Sequence, residues 1–221
     1  MKSRFKFILG YGVLIFLGIC EGSIFIKKPS FFNIFPFIFI FLMFYILLWV
    51  ETYNMLVNEL KVEKYISRLK RIFKFLLTKE SKNIILINLF TAYLFLNSEK
   101  DFLSYIDIIE ITKKTPKKVK YVYYYNLAAY KLSINEKGEA RKIFDENIKK
   151  EESLLGILLN YENNPEQKIV KLEKLLLKQK VELSKIEVKF YLGEVYEQIG
   201  NLKKARRFYN EIAEKKSDIY F

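Results

Sequence analysis

The chain has 221 residues, carries 38 Lys and Arg against 25 Asp and Glu for a formal charge of +13, and contains no His. The missing imidazole removes the usual general base near neutral pH and the commonest metal ligand, and it excludes a Ser-His-Asp triad. A single Cys, Cys20, excludes an internal disulfide and a Cys-based zinc site.

Polarity is divided along the length. Residues 1–50 hold five basic side chains (Lys2, Arg4, Lys6, Lys27, Lys28) and one acid, Glu21; the remaining 33 basic and 24 acidic residues follow. Of 20 Phe, 11 lie in the first 50 residues, whereas 14 of 16 Tyr come after them. Phe suits hydrocarbon, and the Tyr hydroxyl seeks a polar partner. Lys outnumbers Arg 32 to 6 among abundant Ile, Phe, Asn and Tyr, which points to an AT-rich bacterial genome and weakens the basic charge as evidence of function.

Stretches 7–26 and 31–50 are each long enough, at 1.5 Å per residue, to span roughly 30 Å as a helix, about the thickness of bilayer hydrocarbon. Lys27-Lys28-Pro29-Ser30 between them leaves room only for a tight hairpin. Residues 1–50 are therefore expected to form a two-helix transmembrane hairpin. A cleaved signal peptide is the competing reading of the first stretch, but Ile19 suits a lipoprotein cleavage box before Cys20 poorly.

Positive charge is heavier before the first stretch and after the second than in the hairpin, so both ends are expected to be cytoplasmic, at a bacterial inner membrane. Tyr45, Trp49 and Tyr53 suit an interfacial aromatic belt. Gly18 and Gly22 fit either close helix packing or ordinary membrane glycine, and Glu21 either an intramembrane role or the outer headgroups.

No Gly or Pro occurs from 37 to 115, so the second span can run on as a helix into a juxtamembrane segment, 51–80. Leu56, Leu60, Ile66, Leu69, Ile72, Phe73 and Leu76 recur near helical spacing, with Lys61, Lys64, Arg68, Lys70, Arg71 and Lys74 between them. Two readings of that basic face are open: it lies on anionic lipid headgroups, or it is the solvated face of a helix that caps the next domain.

Residues 81–221 read as paired helices with turn signals between them. In 184–216, Ser184 and Glu187 have the spacing of a capping box. Val188, Tyr191, Leu192, Val195 and Ile199 form one apolar stripe, Gly200-Asn201 a break, and Leu202, Ala205, Phe208, Tyr209 and Ile212 a second stripe. A second copy, 118–150, enters at Thr115-Pro116 and carries Tyr124, Leu127, Ala128, Asn135, Ala140 and Phe144. Looser copies occupy 82–114 and 151–182, the latter with Asn164-Pro165 opening its second helix.

Leu192, Gly193, Tyr196, Gly200, Ala205 and Tyr209 resemble the motif of the tetratricopeptide repeat (TPR) family, a helix–turn–helix unit; Lys189 departs from it where a Trp is frequent. The resemblance covers 81–221 and implies an all-α chain, a transmembrane hairpin followed by a helical-repeat solenoid. It also implies a concave face lined from the first helix of each unit: Ile87, Thr91, Leu94 and Phe95; Val122, Tyr125, Ala129 and Leu132; Phe190, Glu194 and Glu197. The first two sets are mostly apolar and suit an amphipathic helix, an apolar peptide or the chain's own linker helix. The face lacks the Lys and Asn with which some TPR proteins clamp a C-terminal carboxylate.

Gly138, Gly156, Gly193 and Gly200 are too scattered for a phosphate-binding loop, and no catalytic or cofactor-binding constellation emerges. Lys113, Lys114, Lys117, Lys118 and Lys120 precede Tyr121, Tyr123, Tyr124 and Tyr125, a pattern that can bind single strands. Four Tyr within five helical positions cannot share one face, however, and nucleic acid is disfavoured. The expected function is a membrane-anchored, non-enzymatic scaffold that binds a protein or peptide, with the last repeat docking a partner or a second copy of the chain. The runner-up is a peripheral lipid-surface module acting through 61–74.

Overall fold

The computed structural model describes residues 31–76, 78–215 and 219. Every regular element among them is an α-helix: α1 (Phe31–Val57), α2 (Val62–Phe75), α3 (Lys79–Phe95), α4 (Glu99–Ile106), α5 (Lys117–Ser133), α6 (Lys137–Asn147), α7 (Leu154–Asn160), α8 (Pro165–Lys178), α9 (Glu182–Gln198) and α10 (Leu202–Ala213). The chain divides into two compact units, 1–51 and 52–221.

In the first unit the described stretch belongs to α1. Residues Ile38–Val57 are long and apolar enough to cross a membrane by length and composition. Phe39, Leu42, Phe44, Ile46 and Val50 all stand exposed on it, so the helix is apolar around its circumference rather than along one stripe. The other expected span, 7–26, and the 27–30 turn lie outside the described residues. Among the described residues there is one such apolar helix.

The second unit opens with a break in the expected linker helix. The α1 helix ends at Val57, and Leu60 takes a left-handed conformation with φ +57° although no Gly or Pro is near. Glu59 N–H bonds to Asn54 O (3.0 Å), Lys61 N–H to Met55 O (2.8 Å) and Asn54 Nδ2 to Glu59 Oε1 (2.9 Å). Burial of the Leu60 side chain among the core residues offsets the local strain of about 1–2 kcal/mol. Beyond the break, α2 buries Val62, Tyr65, Ile66, Leu69 and Ile72 and packs on α3, where Lys70 Nζ reaches over the Tyr93 ring, while Lys64, Arg71 and Lys74 stay exposed. The segment is the first layer of the helical unit.

Helices then pack in sequential pairs, α3 with α4, α5 with α6, α7 with α8 and α9 with α10, each pair also meeting the next. Three pairs turn in the same way. Asn97 (φ +51°), Asn135 (φ +63°) and Gly200 (φ +76°) occupy the left-handed region. The following N–H in each case reaches back five residues, Ser98 to Tyr93 O, Glu136 to Lys131 O and Asn201 to Tyr196 O. This Schellman arrangement satisfies the last carbonyls of one helix and aims the chain into the next.

Where the paired helices cross, Ala128 and Ala140 are fully buried in one pair, and Gly193 and Ala205 in another. In the α3–α4 pair the corresponding residues, Phe90 and Phe102, stack with centroids 4.2 Å apart. The α7–α8 pair departs most: α7 has only seven residues, and Asn164 caps α8 through Gln167 N–H with Pro165 at its first position. One expected local feature is corrected. The α9 helix starts at Glu182 with Val181 before it, so Ser184 and Glu187 lie inside the helix and form no capping box. Glu182, ion-paired with Lys185 (2.8 Å) and Lys215 (2.9 Å), anchors the earlier start.

Candidate binding groove

The left-handed turns give α3, α5 and α9 the same interval to the helix end, although matching positions do not all face the same surroundings. Together with α7 and the starts of α4, α6 and α8 they frame a groove of about 800 Å³. Its apolar walls come from Leu94, Phe95, Phe102, Ala129, Leu132, Leu158, Phe190 and Val195.

Of the eleven residues expected on the concave face, Leu94, Phe95, Ala129, Leu132, Phe190 and Glu194 line this groove. The other five lie elsewhere. Ile87 is core, 2 % exposed. Thr91 Oγ1 donates to Ile87 O (2.9 Å) and accepts from Asn126 Nδ2 (2.6 Å), a polar tie between α3 and α5. Tyr125 packs against Tyr121 and the core around Ala128. Val122 is exposed without lining the groove, and Glu197 accepts from Tyr209 Oη (3.0 Å) toward α10.

Polar groups in the groove are acid-rich: Glu99, Glu162, Glu187 and Glu194 stand against Lys137 and Lys168. Three of the four carboxylates have company. Glu99 accepts from Tyr130 Oη (2.9 Å), Glu162 is paired with Lys137, and Lys168 lies in the field of Glu162 and Glu194. Burial raises Glu194, with Lys168 pulling it back, and burial lowers Lys168.

Glu187 is different. Its side chain is partly reachable from the groove, yet protein atoms crowd the carboxyl, and burial alone pushes it up to about 7. The titratable groups in its field are the phenols of Tyr125 from α5 and Tyr191 from α9, both kept neutral by burial. Sequence reasoning passed over Glu187 by assigning it to a helix cap. The register gave no signal for it: counted back from the turn, Glu187 matches Val122, which does not line the groove.

The six basic residues of 61–74 lie on or beside α2. Lys61 pairs with Glu59 (2.8 Å), Lys70 Nζ sits over the Tyr93 ring (5.5 Å), and Arg68 Nη1 approaches Met55 Sδ (3.7 Å). Lys64, Arg71 and Lys74 are exposed, as is Phe75 at 82 %. In the Lys–Tyr run, Tyr123 is buried with its ring tilted against Phe90 (centroids 5.6 Å apart), so its ring is part of the core. Comparisons of this chain with protein-family models, curated proteins and solved structures return no match.

Proposed function

We propose that this chain is a membrane-anchored adaptor of TPR-like construction, whose helical unit captures a protein or peptide partner on the cytoplasmic side of a bacterial inner membrane. The observation that carries this reading is the groove. Its walls are contributed by four successive helical pairs and are mixed, with apolar side chains such as Leu94, Ala129, Leu132 and Phe190 beside a comparable number of polar and charged ones, a make-up that suits an amphipathic partner. The recurring left-handed turns support a repeat construction, and the apolar Ile38–Val57 helix supports anchorage. The test is site-directed photocrosslinking in native membranes. A photoreactive residue at Leu132 or Phe190 is expected to trap one discrete partner, and one at the outward-facing Leu177, 88 % exposed, is not. Equal crosslinking from both faces would remove the groove from the account.

A second reading has its own observation. Lys64, Arg71 and Phe75 recur at helical spacing on the exposed side of α2, which suits an anionic lipid surface. The full chain in nanodiscs distinguishes the two. Neutralising Lys64, Arg71 and Lys74 abolishes function in the lipid reading and leaves partner capture intact in the adaptor reading.

A further inference from the structure

We propose that the groove is selective for a positively charged side chain: an amphipathic segment of the partner protein places one Arg or Lys against Glu187, with its apolar neighbours on the flanking walls. This deepens the adaptor reading and rests on it.

The first argument is the charge pattern. A chain of net +13 lines this groove with four carboxylates and two ammonium groups, both of which already lie among acids. The surplus charge of the groove is therefore opposite to that of the chain, and complementarity of this kind selects the partner's sign. The second argument is the state of Glu187. Among the described residues no ion pair or hydrogen bond is made by its side chain, and the burial of its carboxyl disfavours ionisation. A crowded carboxyl without a cation is a cost to folding that an apolar residue of similar volume would avoid. Local rules are broken in this way where a site serves a ligand. The third argument is the surroundings. Phe190 and Tyr191 stand beside Glu187 on the groove wall, and aromatic faces next to a carboxylate accommodate a guanidinium or ammonium on an apolar stem. A partner segment is preferred over a free amine because the apolar walls run on from Glu187 to Leu94 and Phe95 on α3, and only a peptide offers side chains to both.

The experiment uses the full chain in detergent micelles and a displayed library of amphipathic helical peptides whose central residue varies among Arg, Lys, Gln and Leu. The expected result is enrichment of peptides with Arg or Lys at that position. Their binding should fall by about tenfold or more in Glu187→Gln and be blocked by Ala129→Trp, which fills the groove. Circular dichroism and melting of both variants verify that they are folded. If Ala129→Trp blocks the enriched peptides but they are neutral, or indifferent to Glu187→Gln, the charge selectivity is wrong and the groove stands. If no peptide is enriched, or Ala129→Trp leaves binding unchanged, the groove reading fails as well. Agmatine binding as tightly as the peptides would reassign the site to a free amine and overturn the partner segment.

Discussion

Glu187 makes a testable claim before any partner is known. Its carboxyl is raised from an ordinary 4.5 to about 7 by burial, so the folded chain holds that proton more tightly than the unfolded chain. Stability then declines as pH rises from about 4.5 to about 7, and the full penalty, about 3 kcal/mol at most, is present above that range. Tyr125 on α5 and Tyr191 on α9, the other titrating groups around it, stay protonated throughout. Glu187→Gln is therefore expected to match the natural chain in urea denaturation at pH 4 and to exceed it at pH 8. Equal stability at both pH values would show that the carboxyl is solvated.

Three glycines form a graded series. A Cβ on Gly156 would lie 2.6 Å from Glu151 O and 2.7 Å from Lys150 O, backbone atoms that have nowhere to go. On Gly193 it would meet Tyr209 Cε1 at 2.5 Å, a ring that can swing. On Gly138 it would meet nothing within 4 Å. Substitution by Ala is expected to cost most at Gly156 and about 1–3 kcal/mol at Gly193. At Gly138 it should be neutral or stabilising by up to about 1 kcal/mol. Chemical denaturation of the three variants gives the order, and a destabilised Gly138→Ala would contradict it.

At the scale of elements, the turns hold the pairs together. Gly200 has φ +76°, where a Cβ is strained, so Gly200→Ala is expected to cost about 1 kcal/mol although its surroundings are open. Asn135→Gly keeps the same backbone and is expected to be neutral or slightly stabilising. Comparison of melting temperatures for the two substitutions separates backbone strain from packing. Pro116, Asn164-Pro165 and Gly200 were legible as element boundaries because each acts within one turn of itself. The break at Leu60 was not, because a buried Leu in a left-handed conformation is held there by core contacts and by Asn54 and Met55 carbonyls, not by its own preference. The start of α9 was misread for a similar reason: Glu182 is fixed partly by Lys215, which lies beyond the far end of α10.

For the whole molecule, orientation is the open property that charge argues most directly. In a Cys20→Ser background, a cysteine replacing Leu177 is expected to resist a membrane-impermeant thiol reagent in intact cells and to react after lysis. Labelling in intact cells would place the helical unit outside and withdraw the cytoplasmic partner.

The amino-acid sequence by itself determined that the chain is helical, that an apolar first part gives way to a mixed-charge second part, and where most turns fall. These follow from periodicity, composition and turn chemistry, which act over a few residues. Only the tertiary structure decided that α2 is a packed layer of the unit, that Phe90 and Phe102 fill a crossing where another pair has Gly193 and Ala205, and that Glu187 faces the groove rather than capping a helix. The environment of a side chain depends on helices far away in sequence. A one-turn motif such as Ser184–Glu187 carries no information about what Tyr125, on another helix, will place around it.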